Sequence, residues 1–451
     1  MAFCRLPWQG LMITPLGDFR VCALTNSNAM DEGMALDEDG KLMNIMTHSP
    51  SQGINGKWHR AIRINDVKNN NAWHDICSCC SAREMATDGD TMHPSVGRRL
   101  SMEWRVDSAN DLLTPGNFKD ADMDANGYVK WNPTNLDVRF GNLCNQKCVH
   151  CSPSYSNLWY EDMVGFQGSS EISWGFGHKT IKLERDQHGK LFNPAEIRWW
   201  ESPVWWAKFE ELMPTLRHIY ITGGEPMIVP AHDEMLDRLI ASGYAKNVHL
   251  EYDTNLSVIN NKLAQRWNHF RRVEIAASVD AIGKPFELIR TANWEQFAEN
   301  VAKVKEFEKS GVVKLYRITT CSQMSTTHTM FETEKWVLEQ GDVNFAVRFV
   351  DSPAMHSWLS LPNSAKQELF DYYSQQDTVA TRYIRNWLKS AIEKNVVNIP
   401  AVHKYVKLMD YLDTTRGTNW RETIPNTVDL LNRHVPSIKH INSLQPLKEI
   451  L

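Results

Sequence analysis

From Leu136 to Val350, short apolar runs alternate with longer segments in which apolar residues recur at steps of three and four. The first kind reads as buried strand and the second as amphipathic helix, because side chains change face at every residue of a strand and repeat about every 3.6 residues of a helix. Strands are predicted near 136–140, 217–222, 247–252, 273–279, 313–320 and 343–350, with helices between them. This sixfold βα repeat predicts the α/β class, with a parallel sheet and right-handed crossovers. Six units are too few to close an eight-stranded barrel. From Asp351 on, the pattern is helical over 364–375, 381–393, 402–412 and 428–433.

The start of the chain follows another pattern. Leu11-Met12-Ile13 and Phe19-Arg20-Val21 flank a turn at Leu16-Gly17-Asp18, which predicts a hairpin. Residues from about 105 to 135 are rich in Asp, Asn, Gly and Pro and read as a linker. Three parts are expected: 1–130, 131–350 and 351–451. One inter-strand stretch, 154–217, is long and holds Trp199-Trp200 and Trp205-Trp206. Apolar pairs at that spacing are expected to pack a helix onto its sheet rather than to form a platform for substrate.

Composition narrows the function. The formal net charge of −5 carries no clustered positive stretch, so nucleic acid is not an expected partner. No apolar run is long enough to cross a bilayer, and the first residues lack the basic and apolar regions of a signal peptide, so a cytoplasmic protein is expected. In a reducing compartment nine cysteines point to metal ligation more than to disulfides.

Their spacing points the same way. Cys144, Cys148 and Cys151 form a C-x3-C-x2-C loop directly after the first strand of the repeat. Three thiolates leave a metal centre with an open position, where a ligand can bind and react. Upstream, Cys4, Cys22, Cys77 and Cys80 supply four thiolates, enough to close a second site; spacing does not choose between Cys79 and Cys80, nor thiolate chemistry between zinc and an iron–sulfur cluster. A cysteine-rich zinc scaffold or interaction protein is therefore the alternative reading. The second strand ends in Gly223-Gly224-Glu225, whose glycines admit close backbone approach and whose carboxylate can accept from an ammonium group. The third ends in Asp253-Thr254-Asn255. On the fourth, Ser278 and Asp280 point the same way, and Arg290 beyond it suits a carboxylate. Cys321 after the fifth strand is either a thiol that can donate a hydrogen atom to a radical or a small core residue.

The cysteine loop, Gly223-Gly224-Glu225, the Asn255 strand end and Ser278-Val279-Asp280, in that order on strands one to four, resemble the radical S-adenosylmethionine enzymes. The resemblance covers most of residues 1–350. It implies an open, partial (β/α)6 TIM-like barrel with a small N-terminal cysteine-rich auxiliary-cluster domain and a helical C-terminal region. It also implies a [4Fe-4S] cluster on Cys144, Cys148 and Cys151, whose open iron takes S-adenosylmethionine. Reductive cleavage would yield a 5′-deoxyadenosyl radical that abstracts hydrogen from a substrate. Gly223, Gly224 and Glu225 would then meet the methionine amino group, Asn255, Ser278 and Asp280 the rest of the cofactor, Arg290 its carboxylate, and His150 its adenine. The upstream cysteines resemble a twitch domain, the short relative of SPASM that holds an auxiliary [4Fe-4S] cluster. In the usual order that domain follows the barrel; here it precedes it, and Leu256 replaces the glycine of the family's Thr-Asn-Gly strand end. Peptide or protein side chains are the favoured substrates by this resemblance, small sugars or alcohols the others, with flavodoxin or ferredoxin as electron donor.

Overall fold

The computed structural model describes residues 4–25, 33–69, 74–78, 80, 123–174 and 179–440. Two short strands, β1 (Gly10–Ile13) and β2 (Phe19–Arg20), precede six that follow the predicted runs: β3 (Asn135–Arg139), β4 (His218–Thr222), β5 (His249–Thr254), β6 (Arg272–Ser278), β7 (Val313–Ser322) and β8 (Asn344–Phe349). All eight lie in one open sheet, ordered β8-β7-β6-β5-β4-β3-β1-β2, and the run from β3 to β8 is parallel throughout. Sequential strands are neighbours, as βα units wound in one sense require.

The N-terminal hairpin continues this sheet. β1 runs parallel to β3, with Gly10 opposite Asn135 and Ile13 opposite Val138, and β2 returns antiparallel. Leu11, Ile13, Phe19, Met43 and Ile45 accordingly share one core with the strands and helices of the βα repeat. The tryptophans complete the join, in the packing role expected of them. Trp199 and Trp205 are fully buried at 5.1 Å between ring centroids, and the Trp199 indole donates to the Pro15 carbonyl at 3.3 Å. Ser202 caps the Pro203–Leu212 helix that carries Trp205 and Trp206, with proline in its first turn.

The two faces of the sheet differ in chemistry. Ile219, Ile221, Leu250, Tyr252, Val273 and Ile275 point to the helices and are buried in the core. The alternate positions form a polar inner face. There His218 lies 3.1 Å from Glu251, Tyr220 donates to Asp253, and Arg317 reaches Asp253 at 2.9 Å. A β-bulge adjusts the phase: Ile275 pairs with Leu315 and Ala276 with Arg317, so Tyr316 is the extra residue. Both Tyr316, which donates to Glu251 at 2.6 Å, and Arg317 thereby serve the inner face.

The C-terminal helices Asn363–Tyr373, Val379–Glu393, Ile399–Arg416 and Pro425–His434 build a second core around Trp358, Leu369, Ile384, Tyr405 and Leu431. Val149 and Trp159 from the region of the cysteine loop, and Leu288 from the Gly283–Arg290 helix, join it. The helical region thus packs where the chemistry-bearing loops lie. Among the described residues no helix is long and apolar enough to cross a membrane.

Candidate active site

The cysteine loop leaves β3 through Gly141, at φ +67°, where a Cβ would stand 2.4 Å from Trp200; both constraints require glycine. Asn142 closes the loop across its ends, its amide donating to the Pro153 carbonyl at 2.6 Å and to the Tyr160 hydroxyl at 2.8 Å. Other elements pin the middle. The Trp159 indole donates to Cys148 O at 3.0 Å, Val149 N to Ile289 O at 2.8 Å, and Arg416 Nη1 to Lys147 O at 2.9 Å. Arg416 is itself held by Asp162 at 2.8 Å.

Within this frame the three thiols lie within electrostatic reach of one another. Burial pushes Cys144 up to about 11, with Cys148 adding to it, and raises Cys148 as well. Burial, then the neighbouring Cys148 and Cys144, raise Cys151 further. Cys148 is buried and Cys144 and Cys151 are half-buried; three neighbouring thiols so placed do not ionise together without a cation, and a metal group supplies that charge. The donor set therefore fits a thiolate-bound cluster.

The glycine pair lies against the loop. A Cβ on Gly224 would come 2.0 Å from Leu143 O, and Glu225 N donates to that carbonyl at 2.8 Å. Gly223 has φ +131°. The Glu225 carboxylate, 1% exposed, accepts from Thr254 Oγ1 and Asn255 N at 2.7 Å each and from Met227 N at 3.2 Å. Burial lifts it to about 6 despite those donors. Asn255 turns its amide toward Asn145 Oδ1 at 2.9 Å and Cys144 Sγ at 3.8 Å. Leu256, in the glycine place of the resembled motif, adopts φ +57° while fully buried, and its carbonyl accepts from Asn300 at 2.8 Å.

Asp280, Arg290, His150 and Cys321 meet beside the loop, and Ser278 ends β6 half-buried nearby in sequence. Asp280 is fully buried. One oxygen accepts from Cys321 N at 2.7 Å; the other lies 3.0 Å from Arg290 Nε and 3.8 Å from His150 Nε2. Arg290 Nη1 stands 3.7 Å from Cys148 Sγ. Burial opposes the Arg290 charge, but Asp280 and the thiols Cys148, Cys321 and Cys144 hold it above its ordinary range. Burial lowers His150, against the pull of Asp280, which favours a neutral ring. Asp280 Oδ2, Arg290 Nε and His150 Nδ1 are buried without an aligned hydrogen bond. Such atoms gathered around three thiols suit a polar ligand.

The upstream cysteines are also brought together. Burial raises the Cys77 thiol, and Cys22, Cys4 and Cys80 each add to the rise, so the four lie within electrostatic reach. Cys79 lies outside the described residues. Cys22 lines a small cavity with Asp137, His218 and Tyr220 of the inner face. That polar face was not singled out in the sequence, although His218/Tyr220 and Glu251/Asp253 alternate with apolar residues.

Comparison with known proteins accords with this geometry. Residues 138–319 match the family model described as the Radical SAM superfamily. Among solved structures, Streptococcus suis SuiB bound to S-adenosylmethionine is 14% identical, over 54% of this chain and 47% of that one, at a TM-score of 0.33. The structure titled "Native anSMEcpe with bound AdoMet and Cp18Cys peptide" is 16% identical, over 53% and 60%, at 0.33. TYW1 with a lysine-pyruvate adduct is 14% identical, over 53% and 72%, at 0.31. This chain thus spans about half the length of SuiB. A search of curated proteins found no match. The family match runs from β3 into β7, the strands whose ends carry the thiol loop, Glu225 and Asp280, and it is over this stretch that the chain is similar to the radical SAM superfamily.

Proposed function

We propose that this protein is a radical S-adenosylmethionine enzyme of the twitch or SPASM kind, acting on a peptide or protein side chain, with a small sugar or alcohol as the other substrate class. The carrying observation is the convergence of three thiols within electrostatic reach of one another, the Glu225 carboxylate and unspent polar atoms of Asp280, Arg290 and His150 on one site. Cys144, Cys148 and Cys151 would hold a [4Fe-4S] cluster. When bound, that cluster supplies the electron that cleaves S-adenosylmethionine to a 5′-deoxyadenosyl radical. The chain's own residues position and shield. Glu225 offers a buried acceptor to the methionine ammonium, with Gly223 and Gly224 allowing the backbone approach. Arg290 would take the methionine carboxylate, Asn255, Ser278 and Asp280 the polar groups of the nucleoside and methionyl parts, and His150 the adenine. Trp159 and the C-terminal helices keep water from the back of the loop.

Cys4, Cys22, Cys77 and Cys80 would hold a second, auxiliary [4Fe-4S] cluster. Their gathering around Cys77, with Cys22 against the inner face, supports that reading. A small iron–sulfur protein such as flavodoxin's counterpart ferredoxin, or flavodoxin itself, would deliver electrons, in the cytoplasm. Anaerobic reconstitution tests the whole. The expected protein is brown, carries about eight irons per chain with acid-labile sulfide, and forms 5′-deoxyadenosine with dithionite. Colourless protein holding zinc and no sulfide would show a zinc scaffold instead.

A further inference from the structure

Most charges of the inner face have matched partners. Arg290 is set against Asp280 at 3.0 Å, Arg139 against Asp137 at 3.1 Å and Arg317 against Asp253 at 2.9 Å. Glu251 has His218 and Tyr316. Arg348 stands apart. It lies on β8 directly opposite Cys321 of β7, and parallel partners in register share a face. Its neighbours Val347 and Phe349 turn the other way, Val347 into the helical core and Phe349 onto the Trp387 ring at 4.1 Å. Arg348 therefore points to the inner face, where its charge acts on both Asp253 and Cys321. Yet among the described residues no carboxylate lies within ion-pair distance of it. Beside it Arg317 keeps its Nε buried and unpartnered. Arg348, Arg317 and Cys321 are all half-buried, so this part of the face is open to a ligand.

A guanidinium fork matches a carboxylate in shape and charge. Asp253 already answers Arg317, which leaves one positive charge to satisfy. That favours a monoanion over a phosphate dianion. We infer that Arg348, backed by the Nε of Arg317, seats a single carboxylate of the substrate next to the Cys321 thiol and within the same inner face as Asp280. The inference rests on the proposed radical chemistry, since it names the class of substrate that chemistry would act on. It assigns a carboxylate-bearing substrate, such as an acidic side chain or a chain end of a peptide.

Iodoacetate and iodoacetamide test this in the reconstituted protein, because one probe carries a carboxylate and the other does not. Alkylation of Cys321 is followed by peptide mass spectrometry, and the ratio of the two rates cancels any change in thiol ionisation. In Arg348→Gln the iodoacetate-to-iodoacetamide ratio should fall by about tenfold, the scale of one charge-assisted contact. Arg348→Lys, which keeps the charge and loses the fork, should lie between, and serves if the glutamine variant does not fold. Acetate should slow wild-type labelling by iodoacetate. An unchanged ratio in both variants overturns the inference, as does stronger protection by inorganic phosphate than by acetate. Formation of 5′-deoxyadenosine by the wild-type protein is measured on the same preparation. Its absence would sink the radical reading, whereas the alkylation ratio alone decides the carboxylate seat.

Discussion

The two sets of thiols in this chain are built in opposite ways. Cys144, Cys148 and Cys151 sit on one loop, tied by Asn142 at its ends and held from outside by Trp159, Ile289 and Arg416. Cys4, Cys22, Cys77 and Cys80 come from three separate stretches: before β1, after β2, and around the Asp75–Cys77 turn. The first set is ordered by the polypeptide, and on the proposed reading its fourth position is left to the cofactor. The second can close a site with four thiolates, and binding would itself join the stretches that supply them. On that reading one set is arranged to react and the other to be completed.

The sharpest way to break this contrast is to delete each set in turn. Cys148→Ala should abolish dithionite-driven 5′-deoxyadenosine, measured by chromatography. Replacing Cys77 and Cys80 together should lower iron from about eight to about four per chain while deoxyadenosine still forms. Survival of turnover in Cys148→Ala would reverse the assignment of the two sets.

Gly224→Ala probes the order of the reactive loop. Its Cβ would meet the Leu143 backbone at 2.0 Å, which no flexible side chain can relieve. A loss of about 3 kcal/mol in urea unfolding is expected, at the upper end for overpacking, together with weaker S-adenosylmethionine binding in equilibrium dialysis.

Glu225 gives a smaller, pH-dependent effect. Its folded-state value of about 6 lies above the ordinary 4.5. The cofactor-free folded state therefore holds this proton more tightly than the unfolded chain. Its contribution is present below pH 4.5 and is lost as pH rises through 6, by about 2 kcal/mol in all. Glu225→Gln should flatten that part of the stability profile; a wild-type profile that rises across the window would contradict the burial argument.

The smallest effect belongs to Leu256→Gly. Relief of the left-handed backbone favours the variant by about 1–2 kcal/mol, but emptying a fully buried leucine site costs about 2–5 kcal/mol. Packing should win, leaving the variant less stable by about 1–3 kcal/mol in thermal or urea unfolding.

Much of this architecture is legible in the sequence because it rests on local periodicity. Each of the six strands β3 to β8 falls within two or three residues of its apolar run, and the C-terminal helices follow their three- and four-residue steps. Gly223-Gly224-Glu225 and the cysteine loop are contiguous, and short motifs survive in one dimension. Pairings that depend on distant segments are not visible in this way. Nothing near Leu11 announces that Asn135–Val138 will lie beside it. The match of Arg290 with Asp280 needed the Gly283–Arg290 helix to turn its last residue back over β6. The clamp of Arg416 on Lys147 joins residues from opposite parts of the chain. The bulge at Tyr316 changes which side chains face inward, and strand alternation alone predicts the wrong phase beyond it.

The parallel pairing of β1 with β3 has a consequence for solubility. Without it, β3 would be the rim of the open sheet, with a row of backbone donors and acceptors just ahead of the cysteine loop. Uncovered rims of this kind recruit strands from other molecules. β1 occupies that rim, and the antiparallel β2, two residues long, becomes the new and much shorter margin. A version of this protein trimmed to the βα repeat would thus lose a guard as well as the five upstream cysteines, and sticky association rather than a smaller enzyme is the expected product.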